Sequence, residues 1–217
     1  MSIVNIKVEN PSITKFVSYC HKRKYASKQT IIEVGSIPDT LHYIVEGSVS
    51  ILLESEEDDH EIVLDYLNPG DFFGEMGLFD EEAFRSAWVK SKTPCVIAQL
   101  SYAESKRRLS ELPDVLFEIS RQMALRLKRT SQKVSDLAFL DVTGRVASIL
   151  LDLLSNQPDA MTHPEGMQIK VTRQEIGKIV GCSREMAGRV LKNLEEKGLI
   201  SVSGKTIVVF DKPKSFS

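Results

Sequence analysis

Two stretches of the chain hold the residues best suited to chemistry. Gly74-Glu75 and, beyond an acidic linker, Arg85-Ser86-Ala87-Trp88 follow a turn at Asn68-Pro69-Gly70-Asp71. They bring a carboxylate, a guanidinium, a hydroxyl and backbone N–H groups near a glycine into one short segment. The fork of Arg85 can hold both exocyclic oxygens of a cyclic phosphodiester. Ser86 and the N–H groups at Gly74 can add donors, and Glu75 can accept from a ribose hydroxyl. No evident nucleophile or base accompanies them, so the set clamps an anion without hydrolysing it. The second stretch runs from Thr172-Arg173-Gln174-Glu175 through Gly181-Cys182-Ser183-Arg184-Glu185 to Arg189. Arg184, Glu185 and Arg189 can donate to guanine and accept from cytosine in a major groove.

The elements that must position these residues differ along the chain. From Thr30 to Leu100 short β-rich runs alternate with turn residues: Thr30–Val34, Leu41–Val45, Val49–Leu53, Ile62–Leu67, Ser86–Val89 and Val96–Leu100. This spacing predicts an antiparallel sandwich or barrel, with the acidic run Glu54–His60 as a solvated hairpin tip. Beyond Pro113 a helix is expected over Val115–Leu137. Leu116, Ile119, Met123, Leu127, Thr130, Val134 and Leu137 fall at steps of three and four. That stripe suits either a coiled-coil dimer seam or a face packed on the chain's own barrel. Thr130-Ser131 on it favours a seam with something to bond.

Phe139-Leu140-Asp141 then opens a second unit. Val142–Leu154 reads as a helix with Thr143 as its N-cap, and Gln157–Gln168, with two prolines and Gly166, as a loop. Thr172 and Glu175 form a capping box for a short helix. Gly181 turns the chain, and Ser183 caps a second helix reaching about Lys197: the helix-turn-helix pattern. Leu199–Val202 and Thr206–Phe210, about Ser203-Gly204-Lys205, read as a hairpin wing with Lys205 placed to meet a phosphate.

Composition narrows the classes further. The chain has 217 residues, 42% of them hydrophobic, and a formal net charge of -2, which fits one large or two ordinary globular domains. Residues 141–217 carry 11 Lys/Arg against 9 Asp/Glu, a mildly basic end compatible with a nucleic-acid partner. Cys20, Cys95 and Cys182 are odd in number and form no C-x-x-C pair, which points to reduced thiols in a cytoplasmic protein. His21, His42, His60 and His163 are scattered without metal-ligand spacing. No metal site is expected, and an enzyme of the metal-dependent cupin type lacks the clustered histidines it needs. No signal peptide or membrane-spanning run is read.

Cassette, seam helix and winged helix, in that order, resemble the CRP/FNR family of bacterial regulators over nearly the whole chain. Gly70-Asp71-Phe72-Phe73-Gly74-Glu75, Leu137–Arg145, Pro158–Pro164 and Gly181-Cys182-Ser183-Arg184-Glu185 carry the likeness. The resemblance implies an α+β chain with a β jelly-roll cyclic-nucleotide-binding domain over 1–114, a dimerisation helix over 115–138 and a winged helix-turn-helix domain over 139–217. It implies an allosteric, homodimeric transcription regulator that takes cyclic AMP as effector, binds near-palindromic double-stranded DNA and contacts RNA polymerase. The alternative is the same fold with a cyclic-GMP-specific or vestigial pocket.

Carried over by position, Glu75 holds the ribose, Arg85 and Ser86 the cyclic phosphate beside Gly74, Thr130 the adenine, and Ser131 the nucleotide of the partner subunit. Ile51, Leu64 and Leu67 are implied as apolar lining. Arg173, Ser183 and Lys205 become phosphate contacts, Arg184, Glu185 and Arg189 base readers, and the loop Ala160–Met167, with Thr162 and His163, a polymerase contact. Met186 stands where the family often has a threonine in the reading helix. Cys20 stands alone where the iron-sulfur branch has an N-terminal cysteine group.

Overall fold

The computed structural model describes residues 10–54, 61–80, 84–156 and 160–212. The chain divides into two compact units, residues 1–53 with 63–129, and residues 54–62 with 130–217.

The first unit opens with helix α1 (Pro11–Ser18), capped by the Asn10 side chain on Ser12 N. Eight strands follow: β1 (His21–Tyr25), β2 (Thr30–Ile32), β3 (Thr40–Glu46), β4 (Val49–Glu54), β5 (Glu61–Leu67), β6 (Phe72–Phe73), β7 (Trp88–Ser91) and β8 (Cys95–Ser101). They form two four-stranded sheets, ordered β1-β8-β3-β6 and β2-β7-β4-β5. Tyr25, Ile44, Phe73 and Ile97 from one sheet meet Ile32, Val49, Leu67 and Val89 from the other, so the main core lies between the layers. The reverse face of the first sheet is covered as well. Leu41, Phe72 and Leu100 pack against Phe16 of α1, Leu109 of α2 (Tyr102–Glu111), and Val115 and Ile119 of α3 (Pro113–Phe139). Burial on both faces explains why β8 reads as a near-continuous apolar run rather than a simple alternation. At the sheet edge, His21, Lys22, Arg23 and Lys24 of β1 are all exposed.

The jelly-roll expectation holds, with corrections of detail. The strand expected at Ser86–Val89 begins at Trp88 and runs to Ser91. The acidic tip, beyond Glu54, lies outside the described residues. The stripe on α3 is not one free seam. Ile119 is fully buried against its own barrel and Met123 packs beside it, whereas Leu127, Val134 and Leu137 are 68%, 61% and 58% exposed. The stripe is therefore covered by the barrel around Ile119 and Met123 and exposed from Leu127 onward.

Beyond Phe139 the second unit continues with its own helices and strands. Helix α4 (Val142–Asn156) is capped by Asp141, whose Oδ1 accepts from Gly144 N at 2.7 Å, and not by Thr143. The segment expected to be a loop carries β9 (Met161–His163) and β10 (Gly166–Lys170), paired through Met167 and Thr162; residues 157–159 lie outside the described set. Helices α5 (Arg173–Val180) and α6 (Arg184–Glu196) and strands β11 (Ile200–Ser203) and β12 (Thr206–Phe210) follow, with the sheet ordered β11-β12-β10-β9. Val146, Leu150, Ile169, Ile176, Leu191 and Ile207 are the centre of this core. Among the described residues no helix is long and apolar enough to cross a membrane, and no group of three or more His, Cys, Asp or Glu could hold a metal ion.

Candidate functional site

The cassette grows out of the end of β6. Gly74 takes a left-handed backbone (φ 73°), and a Cβ there would lie 2.5 Å from Arg85 Nη1, so only glycine fits. Arg85 Nη1 donates to Gly74 O at 3.0 Å and Nη2 to Thr40 O at 2.8 Å. Tyr102 Oη also donates to Gly74 O, and its ring lies under the guanidinium at 5.7 Å. Burial pushes the Tyr102 phenol upward, so it remains a donor at neutral pH. Two carbonyls and a ring thus fix Arg85 while leaving further N–H groups for an incoming anion.

Glu75 is buried, and its Oε1 meets Arg126 Nη1 at 3.0 Å. Arg126 also donates to Phe72 O. One turn earlier on α3, Gln122 accepts from Phe72 N at 2.8 Å and donates to Gly70 O at 3.0 Å. The carboxylate proposed for the ribose is therefore already aligned by the helix. Ser86 is exposed, 3.9 Å from Met76 Sδ. Ile51 packs against the core between the sheets, Leu67 is buried within it, and Leu64 is half-buried. Thr130 and Ser131 are exposed on α3.

Arg126, Gln122, Tyr102 and His42 escaped the sequence reading. A usable signal existed for two of them: Gln122, Arg126 and Thr130 recur every fourth residue, a polar row beside the apolar stripe. Tyr102 and His42 meet the cassette only through sheet pairing, which no local spacing reveals.

The second unit assembles the other set. The capping box is present: Thr172 Oγ1 accepts from Glu175 N at 3.1 Å and Glu175 Oε2 from Thr172 N at 2.9 Å. Gly181 (φ 72°) ends α5 in the left-handed conformation, and Ser183 Oγ accepts from Met186 N at 3.1 Å to start α6. Ala187, Val190, Leu191 and Leu194 face inward. Arg184, Glu185 and Arg189 consequently face solvent, and among the described residues none makes an ion pair. With Arg173 and Gly188 they line a hollow of about 690 Å³, which Lys192 joins, a residue the sequence reading did not single out. Lys205 is exposed at the wing turn, and its carbonyl accepts from Val171 N at 2.8 Å, fastening that turn to the start of α5. Thr162 is exposed and His163 half-buried on β9, where His163 Nδ1 accepts from Glu165 N at 3.3 Å.

Comparison with known proteins covers both sets. A cyclic nucleotide-binding domain model matches residues 22–111, and the model for bacterial regulatory proteins, crp family, matches residues 169–200. The cAMP-activated global transcriptional regulator CRP of Salmonella typhimurium is 57% identical over 201 residues, spanning 93% of this chain and 95% of its own length. The cAMP-activated global transcriptional regulator Vfr of Pseudomonas aeruginosa is also 57% identical, over 91% of this chain and 93% of its own. Among solved structures, the c-di-GMP responsive global regulator CLP of Xanthomonas campestris superposes with a TM-score of 0.84 at 43% identity, covering 93% of this chain and 99% of that one. The first model contains the cassette and the second both capped helices, α5 and α6. With relatives this similar along almost their whole length, the chain belongs to the crp family of bacterial regulatory proteins.

Proposed function

We propose that the chain is a cyclic-AMP-dependent transcription regulator, without enzymatic activity, that acts as a homodimer in the cytoplasm, binds near-palindromic DNA and contacts RNA polymerase. The observation that carries this reading is the presence, in one chain, of an anion clamp with its guanidinium already fixed and a capped helix with its charged end exposed. Relatives at 57% identity are described as cAMP-activated, which favours that nucleotide. Arg85 and Ser86 then hold the cyclic phosphate and Glu75 the ribose. Gly74 admits the close approach, Thr130 contacts the adenine, and Ser131 reaches the nucleotide of the partner subunit. Ile51, Leu64 and Leu67 supply apolar surroundings.

The exposed apolar stretch Leu127–Leu137 of α3 supports pairing of two chains. A two-fold dimer sets its reading helices about 34 Å apart, in successive major grooves, and so selects a near-palindrome. Arg184, Glu185 and Arg189 read bases, while Arg173, Ser183 and Lys205 meet phosphates. The Ser183 hydroxyl serves as the helix cap through its oxygen and keeps its hydrogen for a phosphate. Thr162 and His163 supply the polymerase contact. Nucleotide changes DNA affinity only by binding the two conformational states unequally.

A second reading arises because CLP, at 43% identity, is described as c-di-GMP responsive. Calorimetric titration with cyclic AMP, cyclic GMP and c-di-GMP, followed by DNA-binding anisotropy with and without the ligand that binds, separates the two. Saturable heat with cyclic AMP and tighter binding to a palindromic duplex are expected. Heat with c-di-GMP alone would move the assignment to the second reading. DNA affinity indifferent to every nucleotide would sink effector control.

A further inference from the structure

His42 sits behind the cassette on the inner face of β3. Its ring is 5% exposed and stacks on Phe73, with centroids 4.7 Å apart and planes 15° from parallel. Among the described residues its Nδ1 has no hydrogen-bond partner. A buried polar atom left unpaired is costly, and its retention calls for an explanation in another state of the site. The neighbourhood supplies one. A Cβ built on Gly74 would meet Arg85 Nη1 at 2.5 Å, His42 Nδ1 at 3.1 Å and Thr40 O at 3.2 Å, so both nitrogens crowd the same small space. Gly74 O, by contrast, is doubly served, by Arg85 Nη1 and by Tyr102 Oη. Arg85 can leave that carbonyl without orphaning it.

We propose that His42 is a positioning residue for anion binding: in the ligand-bound cassette its neutral Nδ1 accepts the Arg85 Nη1 hydrogen that Gly74 O holds in this structure. The inference rests on the cyclic-nucleotide reading of Arg85. A short swing of the guanidinium moves Nη1 from a satisfied acceptor to an unsatisfied one, while its remaining N–H groups turn toward the phosphate. The exchange keeps the number of hydrogen bonds but satisfies the orphaned Nδ1 when an anion draws the arginine round, which favours the bound state over the free one. The imidazole has to be neutral to accept. Burial chiefly, and the Arg85 charge next, push it down to about 3, with Asp39 and the backbone carbonyls of Phe73 and Thr40 acting in the opposite sense. The neutral ring carries a single N–H, and with that hydrogen on Nε2 the Nδ1 lone pair stays open at any pH the cell offers.

The test compares two substitutions. His42→Phe keeps the ring on Phe73 and removes the acceptor, whereas His42→Asn places an amide oxygen near the position of Nδ1. Losing a charge-assisted hydrogen bond predicts about a tenfold weaker cyclic-AMP affinity for His42→Phe, and His42→Asn stays within about threefold of the parent chain. In histidine-¹⁵N-labelled parent protein, the unprotonated Nδ1 resonance should shift upfield when cyclic AMP saturates the site, a readout that needs no variant to fold. Parent-like affinity in His42→Phe, equal losses in both variants, or an unmoved Nδ1 resonance would each overturn the inference. A parent chain that does not bind cyclic AMP, or an Arg85→Leu chain that binds as tightly, would overturn the nucleotide reading and this inference with it. Arg85-dependent binding with no effect of His42→Phe overturns this inference alone.

Discussion

Arg85 is partly buried with both terminal nitrogens resting on carbonyl oxygens, whereas Arg184 and Arg189 stand in solvent with no ion pair among the described residues. The same contrast separates Glu75, buried and bonded to Arg126, from Glu185, exposed in the first turn of α6. A small ligand offers few contacts, so each group that meets it is held in place beforehand and shielded from water, where a charge interaction is strong. A duplex offers many phosphates and base edges, so exposed side chains suffice. Their individual contributions are smaller and screened by salt. Single substitutions should therefore cost much at the first site and little at the second.

The sharpest way to break that comparison is Glu75→Ala. It leaves Arg126, 15% exposed, without its carboxylate, and breaking such a buried pair should cost about 3 to 5 kcal/mol of stability, read from urea unfolding. An unfolding free energy within error of the parent would mean that the pair is idle. Next, Arg85→Leu removes the bidentate partner of the phosphate and should weaken cyclic AMP by about 2 to 5 kcal/mol in a calorimetric titration. Unchanged affinity would remove Arg85 from the site.

Arg184→Ala or Arg189→Ala should cost about 1 to 3 kcal/mol on the preferred duplex and relax one base position in a binding selection. Base preference unchanged at every position would demote the residue to a phosphate contact. A fourth check returns to the buried side. His42 has a folded-state pKa well below its ordinary 6.5, so the unfolded chain binds the proton first, and stability falls as pH drops below about 6.5. Near pH 5.5 the loss should approach 1.4 kcal/mol and should shrink in His42→Phe. The smallest effect belongs to Lys205→Ala, which should weaken all sequences alike and lower the salt slope by about one.

What the sequence disclosed follows how locally each feature is encoded. The α5–α6 pair was legible because its capping box, left-handed glycine and Ser183 cap are each formed by residues within a few positions of one another. Gly74 and Arg85 lie in one short segment of the sequence, and the structure joins them by a hydrogen bond. Strand β1 was not legible, because His-Lys-Arg-Lys-Tyr has no apolar alternation and owes its extended form to pairing with β8. The β9–β10 hairpin was obscured by prolines and a glycine that suggested a loop, though Gly166 pairs with both His163 and Phe210. The environment of Arg85 hid in the same way, since Thr40, His42 and Tyr102 reach it from strands and a helix far along the chain.

The exposed basic run on β1 has a bearing on how the chain survives its own synthesis. Among the described residues β1 is the terminal strand of its sheet, with no strand along its outer side, a template onto which another unfinished copy could add a strand. His21, Lys22, Arg23 and Lys24 all project into water there. A second copy arriving edge to edge would set like charges against each other with no carboxylates between them. The strand is thereby kept for β8 alone, and the barrel can close before its open rim gathers other chains.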